Sequence, residues 1–149
     1  MRETMRQKKL DDDLVKAALR GNLDEASRLV EQGAHVDAAS WKDQPLHFAS
    51  ANGHRDVVAF LLAKGAKANA ASSNGWQPLH YAAMGGYGDV IKLLLEHGAD
   101  PTAENYEGRT PAALCRNEEF IPLLEEAAAR KRAARRRWII ALRTRGPSL

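Results

Sequence analysis

The chain has 149 residues, 44% of them hydrophobic and 28% charged, with a net charge of +3. That balance suits one folded domain or a short repeat array and excludes a disordered chain, while the longest apolar run, Val57 to Ala63, falls far short of the ~18 residues of a membrane span. A single cysteine, Cys115, excludes an internal disulfide and a cysteine-built zinc site and points to a reducing intracellular setting, cytoplasmic or nuclear.

Charge changes along the chain. Residues 1–10 hold four bases and one acid, form a basic N-terminal segment, and lack the apolar core of a secretory signal. Residues 11–129 hold ten bases against eighteen acids, so the body is acidic. Residues 130–149 hold eight bases and no acid. The body should repel nucleic acid, and only the ends can attract it. Asp11, Asp12 and Asp13 open the acidic part and suit the first turn of a helix, where they cap it and complement its dipole.

The acidic part repeats itself. Gln44-Pro45-Leu46-His47 returns 33 residues later as Gln77-Pro78-Leu79-His80, and Thr110-Pro111-Ala112-Ala113 holds the same place after another 33. Lys64-Gly65-Ala66 returns as His97-Gly98-Ala99. Each unit reads as two short helices. Pro45 and Pro78 suit a first helical turn, where a missing N–H is harmless. Gly53 and Gly86 suit a left-handed cap that ends the first helix. Asp56 and Asp89 are expected to cap the second. Its core stripe is Val57, Val58, Leu61 and Leu62, repeated as Val90, Ile91, Leu94 and Leu95, and it ends at Gly65 and Gly98. One such pair cannot bury both its faces, so neighbours must stack.

With its 33-residue period, its two Pro-Leu-His strings and its Gly-x-x-Asp-Val turns, the chain resembles the ankyrin repeat family over residues 11–129. The resemblance implies an all-α solenoid of about four units (11–37, 38–69, 70–102 and a shortened 103–129) joined by hairpin-like loops. It also implies protein binding through hairpin tips and the concave helical face. Some positions depart from the family pattern. Gln44 and Gln77 replace a threonine, the Asp37–Pro45 loop lacks its tip glycine, and Pro122 implies a kink or a late start to the last helix.

Little suggests chemistry. His47 and His80 stand one repeat apart, too far to share a metal, and the resemblance gives them structural hydrogen bonds between repeats. His35, His54 and His97 read as loop or turn residues. Gly85-Gly86-Tyr87-Gly88 follows no strand and precedes no Lys-Ser/Thr, so it reads as a turn between helices rather than a phosphate loop. Cys115 reads as a buried small side chain. No catalytic residue, metal ligand or cofactor is expected, and the function expected is that of a non-catalytic adaptor.

The loops carry the binding expectation. Trp41, Trp76 and Tyr106 fall at expected hairpin tips; either they face solvent as a binding surface, since aromatic residues of this kind are the commonest interface hot spots, or each folds back over its neighbouring loop as a local lid. Lys42, Asn74, Met84 and Arg109 complete the expected contact set for a partner protein. Phe48 and Tyr81 read as core. Residues 123–143 lack Pro and Gly and predict a helix of about 20 residues that covers the last repeat, with Ala127, Ala134, Trp138 and Ala141 on one side and Gly146-Pro147 as its stop. Its basic residues Arg132, Arg135, Arg136, Arg137 and Arg143 leave several readings open. They suit phosphates of a nucleic-acid assembly or another acidic surface, an import signal, or a basic amphipathic target of an acidic protein. They also suit a cap with surplus charge.

Overall fold

A computed structural model describes residues 1–40 and 42–145. Among the described residues, eight α-helices and one 3-10 turn follow one another: α1 (Arg2–Arg20), α2 (Leu23–Glu31), α3 (Pro45–Ala51), α4 (Arg55–Ala63), α5 (Pro78–Gly85), α6 (Gly88–Glu96), α7 (Pro111–Leu114), the 3-10 turn (Glu118–Phe120) and α8 (Ile121–Thr144). Helices α1, α3, α5 and α7 stack as an inner row, and α2, α4 and α6 stack behind them as an outer row. The result is an all-α solenoid, as the repeat pattern requires.

Local rules set the helix ends. Pro45, Pro78 and Pro111 occupy first-turn positions of the inner helices. Gly53 closes the first helix of its unit at φ 71°, a backbone that glycine adopts without steric cost. The ring of Tyr87, from the next repeat, lies where a Cβ on Gly53 would have to go, 2.6 Å from its Cδ1. His54 covers Gly21 in the same way and sends its Nε2 to the Leu19 carbonyl. Repeat-to-repeat packing thus relies on glycines that accept a ring.

The apolar stripes are buried as expected except at Leu95, which is half-buried, while Leu93 joins the core. Val57, Val58, Leu61, Ile91 and Leu94 are all buried among Leu46, Leu79 and Leu124. A smaller group, Leu14, Ala17, Ala26, Leu29 and Ala34, forms the core of the first unit. Phe60 touches both groups.

The structure corrects three expectations and, for Pro122, decides between the two that the sequence left open. The basic residues 1–10 are no separate segment, because α1 runs unbroken from Arg2 and places Asp11, Asp12 and Asp13 at mid-helix. There Asp11 accepts hydrogen bonds from the side chain of Gln7 and the backbone N–H of His35, at 2.9 and 2.8 Å. Asp56 and Asp89 are not caps. The cap positions belong to His54 and Tyr87, and the aspartates lie in the first turn, where they complement the dipole and Asp56 also meets the Arg55 guanidinium at 3.8 Å. Pro122 begins a new helix after the 3-10 turn, which is the late start its ring imposes. Finally, α8 covers the last repeat only with its first two turns. Leu124 and Ala128 are buried, whereas Ala134, Trp138 and Ala141 are exposed. The expected stop at Gly146-Pro147 lies outside the described residues.

Candidate partner-binding site

Two hairpins carry the aromatic residues, and both are built on one design. Ser72 opens one turn and Asn105 the other, 33 residues apart. The Ser72 hydroxyl accepts from the backbone N–H groups of Asn74 and Trp76, and the Ser72 N–H donates to the Trp76 carbonyl at 2.8 Å. Asn105 Oδ1 accepts from the N–H groups of Glu107 and Arg109, and the Asn105 N–H donates to the Arg109 carbonyl at 3.0 Å. These buried polar side chains satisfy backbone that has no strand to pair with. The two loops are joined by the Tyr106 N–H, which donates to the Asn74 carbonyl.

That register decides where each aromatic points. Trp76 sits at the base of its hairpin, half-buried, with its ring centroid 5.1 Å from that of Tyr81 and 6.1 Å from that of His80. The expectation that Trp76 faces solvent therefore fails: half of it is packed against its own repeat. Tyr81 in turn is not core. It is half-buried, its hydroxyl donates to the Ser72 hydroxyl, and its ring opens toward solvent beside Trp76. Burial raises its pKa, with the Ser72 bond opposing. Tyr106, at the tip of the next hairpin, is 79% exposed and lays its ring over Gly75, which has φ 72° and no Cβ to obstruct it.

Asn74, Trp76, Tyr81, Met84, Tyr106 and Glu107 together line a groove of about 460 Å³. The fold thus gathers Asn74, Trp76, Met84 and Tyr106 from the expected contact set. Tyr81 and Glu107 belong to the same wall and were missed. The signal for Tyr81 was its hydroxyl, since a phenol at an otherwise apolar position needs a polar partner at the surface. Arg109 does not line the groove. Its guanidinium is exposed, 3.5 Å from Glu107, and its carbonyl accepts from His80. Lys42 is exposed in the first hairpin, where it takes a left-handed φ of 72° in place of the missing glycine. Trp41 lies outside the described residues.

The histidines are structural. Nδ1 of His47 and of His80 accepts the N–H of Gln44 and of Gln77. Nε2 of His47 then donates to the Ala70 carbonyl, and that of His80 to the Ala103 carbonyl in the next unit. With both nitrogens engaged, neither ring has a lone pair for a metal. Burial pushes the pKa of both rings down, with their carbonyl partners opposing.

The basic residues of α8 lie apart from this groove. Arg132, Arg135, Arg136, Arg137 and Arg143 are all exposed; Arg132 still lines a pocket with Pro101, Thr110 and Ala112 of the last repeats, and the others lie farther along the helix. At its base, Lys131 Nζ meets Asp100 Oδ1 at 2.9 Å. Partial burial opposes ionisation of Asp100, but bonds from Thr102 and Lys131 outweigh it and hold its pKa below the ordinary carboxylate value.

Similarity to known proteins agrees with the architecture. The family model for ankyrin repeats (3 copies) matches residues 14–105 and 66–132. Ankyrin repeat and SOCS box protein 16 of Mus musculus is 45% identical over 62 residues, 42% of this chain and 14% of that protein. Protein phosphatase 1 regulatory subunit 27 of Homo sapiens is 38% identical over 65 residues, 42% of this chain and 41% of that protein. The probable E3 ubiquitin-protein ligase XBOS32 of Oryza sativa subsp. japonica is 37% identical over 65 residues, 42% of this chain and 13% of that protein. The chain thus spans well under half the length of these relatives.

Proposed function

Because this chain belongs to the ankyrin repeat family, and so is a protein-interaction module, we propose that it grips a partner protein in the groove between its second and third hairpins. One observation carries the reading. Three aromatic rings from two repeats, Trp76, Tyr81 and Tyr106, converge with Met84 on a single open groove. Hydrogen bonds inside each hairpin fix the backbone that carries Trp76 and Tyr106, and the Tyr81 hydroxyl is tied to Ser72, before any partner arrives. Binding then buries ready-made aromatic surface with little loss of side-chain freedom.

The family is generally non-catalytic. The relative named as a ligase matches this chain over a small fraction of its own length. The phosphatase relative is named as a regulatory subunit, a role exercised through contact with another protein. Both fit a module that positions a partner rather than one that transforms it.

The test uses Tyr106→Ala, because Tyr106 is exposed enough to be removed with little effect on the core. Proteins captured from lysate after nuclease treatment are compared for the wild type, Tyr106→Ala and Glu96→Gln, an exposed change on the outer row. A partner retained by wild type and Glu96→Gln should bind purified Tyr106→Ala at least ~10-fold more weakly, as hot-spot aromatics do. Equal affinity for all three would refute the groove as the binding site.

A further inference from the structure

The projecting part of α8 presents a second anomaly that the hairpin groove does not absorb. From Arg132 to Thr144 the helix extends about 20 Å beyond its buried base, at 1.5 Å per residue. Its root is fixed by buried Leu124 and Ala128 and by the Lys131–Asp100 ion pair. Along that length four large apolar side chains stand in solvent: Trp138 at 64% exposure, Ile139 at 38%, Ile140 at 53% and Leu142 at 51%. Six arginines share the segment, Arg132, Arg135, Arg136, Arg137, Arg143 and Arg145, and no acid follows Glu126.

We propose that Arg132–Arg145 is a second docking element, independent of the hairpin groove, whose partner is a protein with an apolar groove rimmed by carboxylates that encloses the helix. The arrangement of the side chains selects this occupant. Successive positions turn by about 100°, so Trp138 and Ile140 point about 160° apart, with Leu142 close to Trp138 and Ile139 between the two faces. A flat surface, whether a bilayer or the side of another folded domain, can cover only one of those faces. A groove that wraps the helix covers both. The arginines that flank the apolar run on both sides then need acids around the rim, which gives charge complementarity as well as shape. A second copy of the same helix is a poor occupant, since six arginines would face six. Phosphates of a nucleic acid would satisfy the arginines and leave Trp138, Ile140 and Leu142 wet.

Calcium-loaded calmodulin serves as the probe, because it offers an acidic-rimmed, Met-lined groove for basic amphipathic helices. It is titrated against the full chain, in parallel with single- and double-stranded oligonucleotides and with phosphatidylserine–phosphatidylcholine vesicles. Micromolar or tighter binding of the probe is expected, with a blue shift in tryptophan emission that Trp138→Ala abolishes. The triple variant Trp138→Ala/Ile140→Ala/Leu142→Ala should weaken the probe at least ~10-fold, and should leave the melting temperature of the repeats unchanged. Ile140→Asp alone should also weaken it, because the carboxylate enters an apolar wall rimmed by acids, whereas a contact through the Trp138–Leu142 face alone would be untouched. The proposal is overturned if the probe does not bind, or if the triple variant or Ile140→Asp binds it as tightly as the wild type. It is equally overturned if oligonucleotides or vesicles bind more tightly than the probe and keep that affinity in the triple variant.

Discussion

His80 uses both ring nitrogens, one to accept from Gln77 and one to donate to the next repeat, and this makes it a sensor of pH for the whole stack. Burial keeps its folded pKa below the ordinary histidine value of about 6.5, and His47 behaves alike. A depressed pKa means that the unfolded chain takes up protons first as pH falls. The stability from these rings is therefore complete above about pH 6.5 and declines as pH drops below it. Melting from pH 7.5 to 5.5 should show the transition temperature falling over that window. In His80→Gln, which keeps a donor but cannot be protonated, the fall should be smaller. An equal slope in both proteins would show that His80 does not titrate in this way.

At the scale of the element, helices end where a glycine permits it and the next repeat requires it. Gly53 is the clearest case, with φ 71° and the Tyr87 ring over its bare Cα. Alanine there meets both a strained backbone and a ring that must move aside, which should cost about 1–3 kcal/mol in urea unfolding. Gly108→Ala is the control. Its φ, 75°, matches that of Gly53, but its Cβ would meet open space, so the loss should be smaller. Similar losses at the two sites would mean that backbone strain alone sets the effect. Helix α8 shows the opposite logic. Its helix formers are sufficient to continue it beyond the repeats without tertiary support, because Ala, Arg and Leu dominate its sequence.

Over the whole molecule, stability is distributed rather than central, as expected when each unit touches its neighbours. Phe60 is the side chain that joins the core of the first unit to the main one. Phe60→Ala should therefore cost about 1–2 kcal/mol, given its partial burial. In hydrogen exchange the loss of protection should be larger in α1 and α2 than in α5 and α6. Uniform loss across all helices would show a single cooperative block instead of a coupled array. The charge pattern belongs to this scale too. The acidic repeats hold the hairpin groove, and the arginines stand on a helix beyond them, so two surfaces of opposite sign are kept apart by the solenoid.

Much of this architecture was legible in the chain. The 33-residue period, the prolines at helix starts and the apolar stripes are local patterns, and local patterns decide helices and their order. Pro122 announced a kink or a late start, and the resemblance carried by the repeated Pro-Leu-His string implied the structural bond of His80. Tertiary structure decided what distance in sequence concealed. Tyr106 meets Trp76 across 30 residues because one hairpin donates a backbone N–H to the other, and Tyr81 reaches the groove because its hydroxyl finds Ser72. The extent of the α8 cap was likewise hidden, because helix propensity continues through residue 144 while the surface to be covered ends near Ala128. Periodicity states which residues can face a neighbour, and only the stacked chain determines how far that neighbour extends.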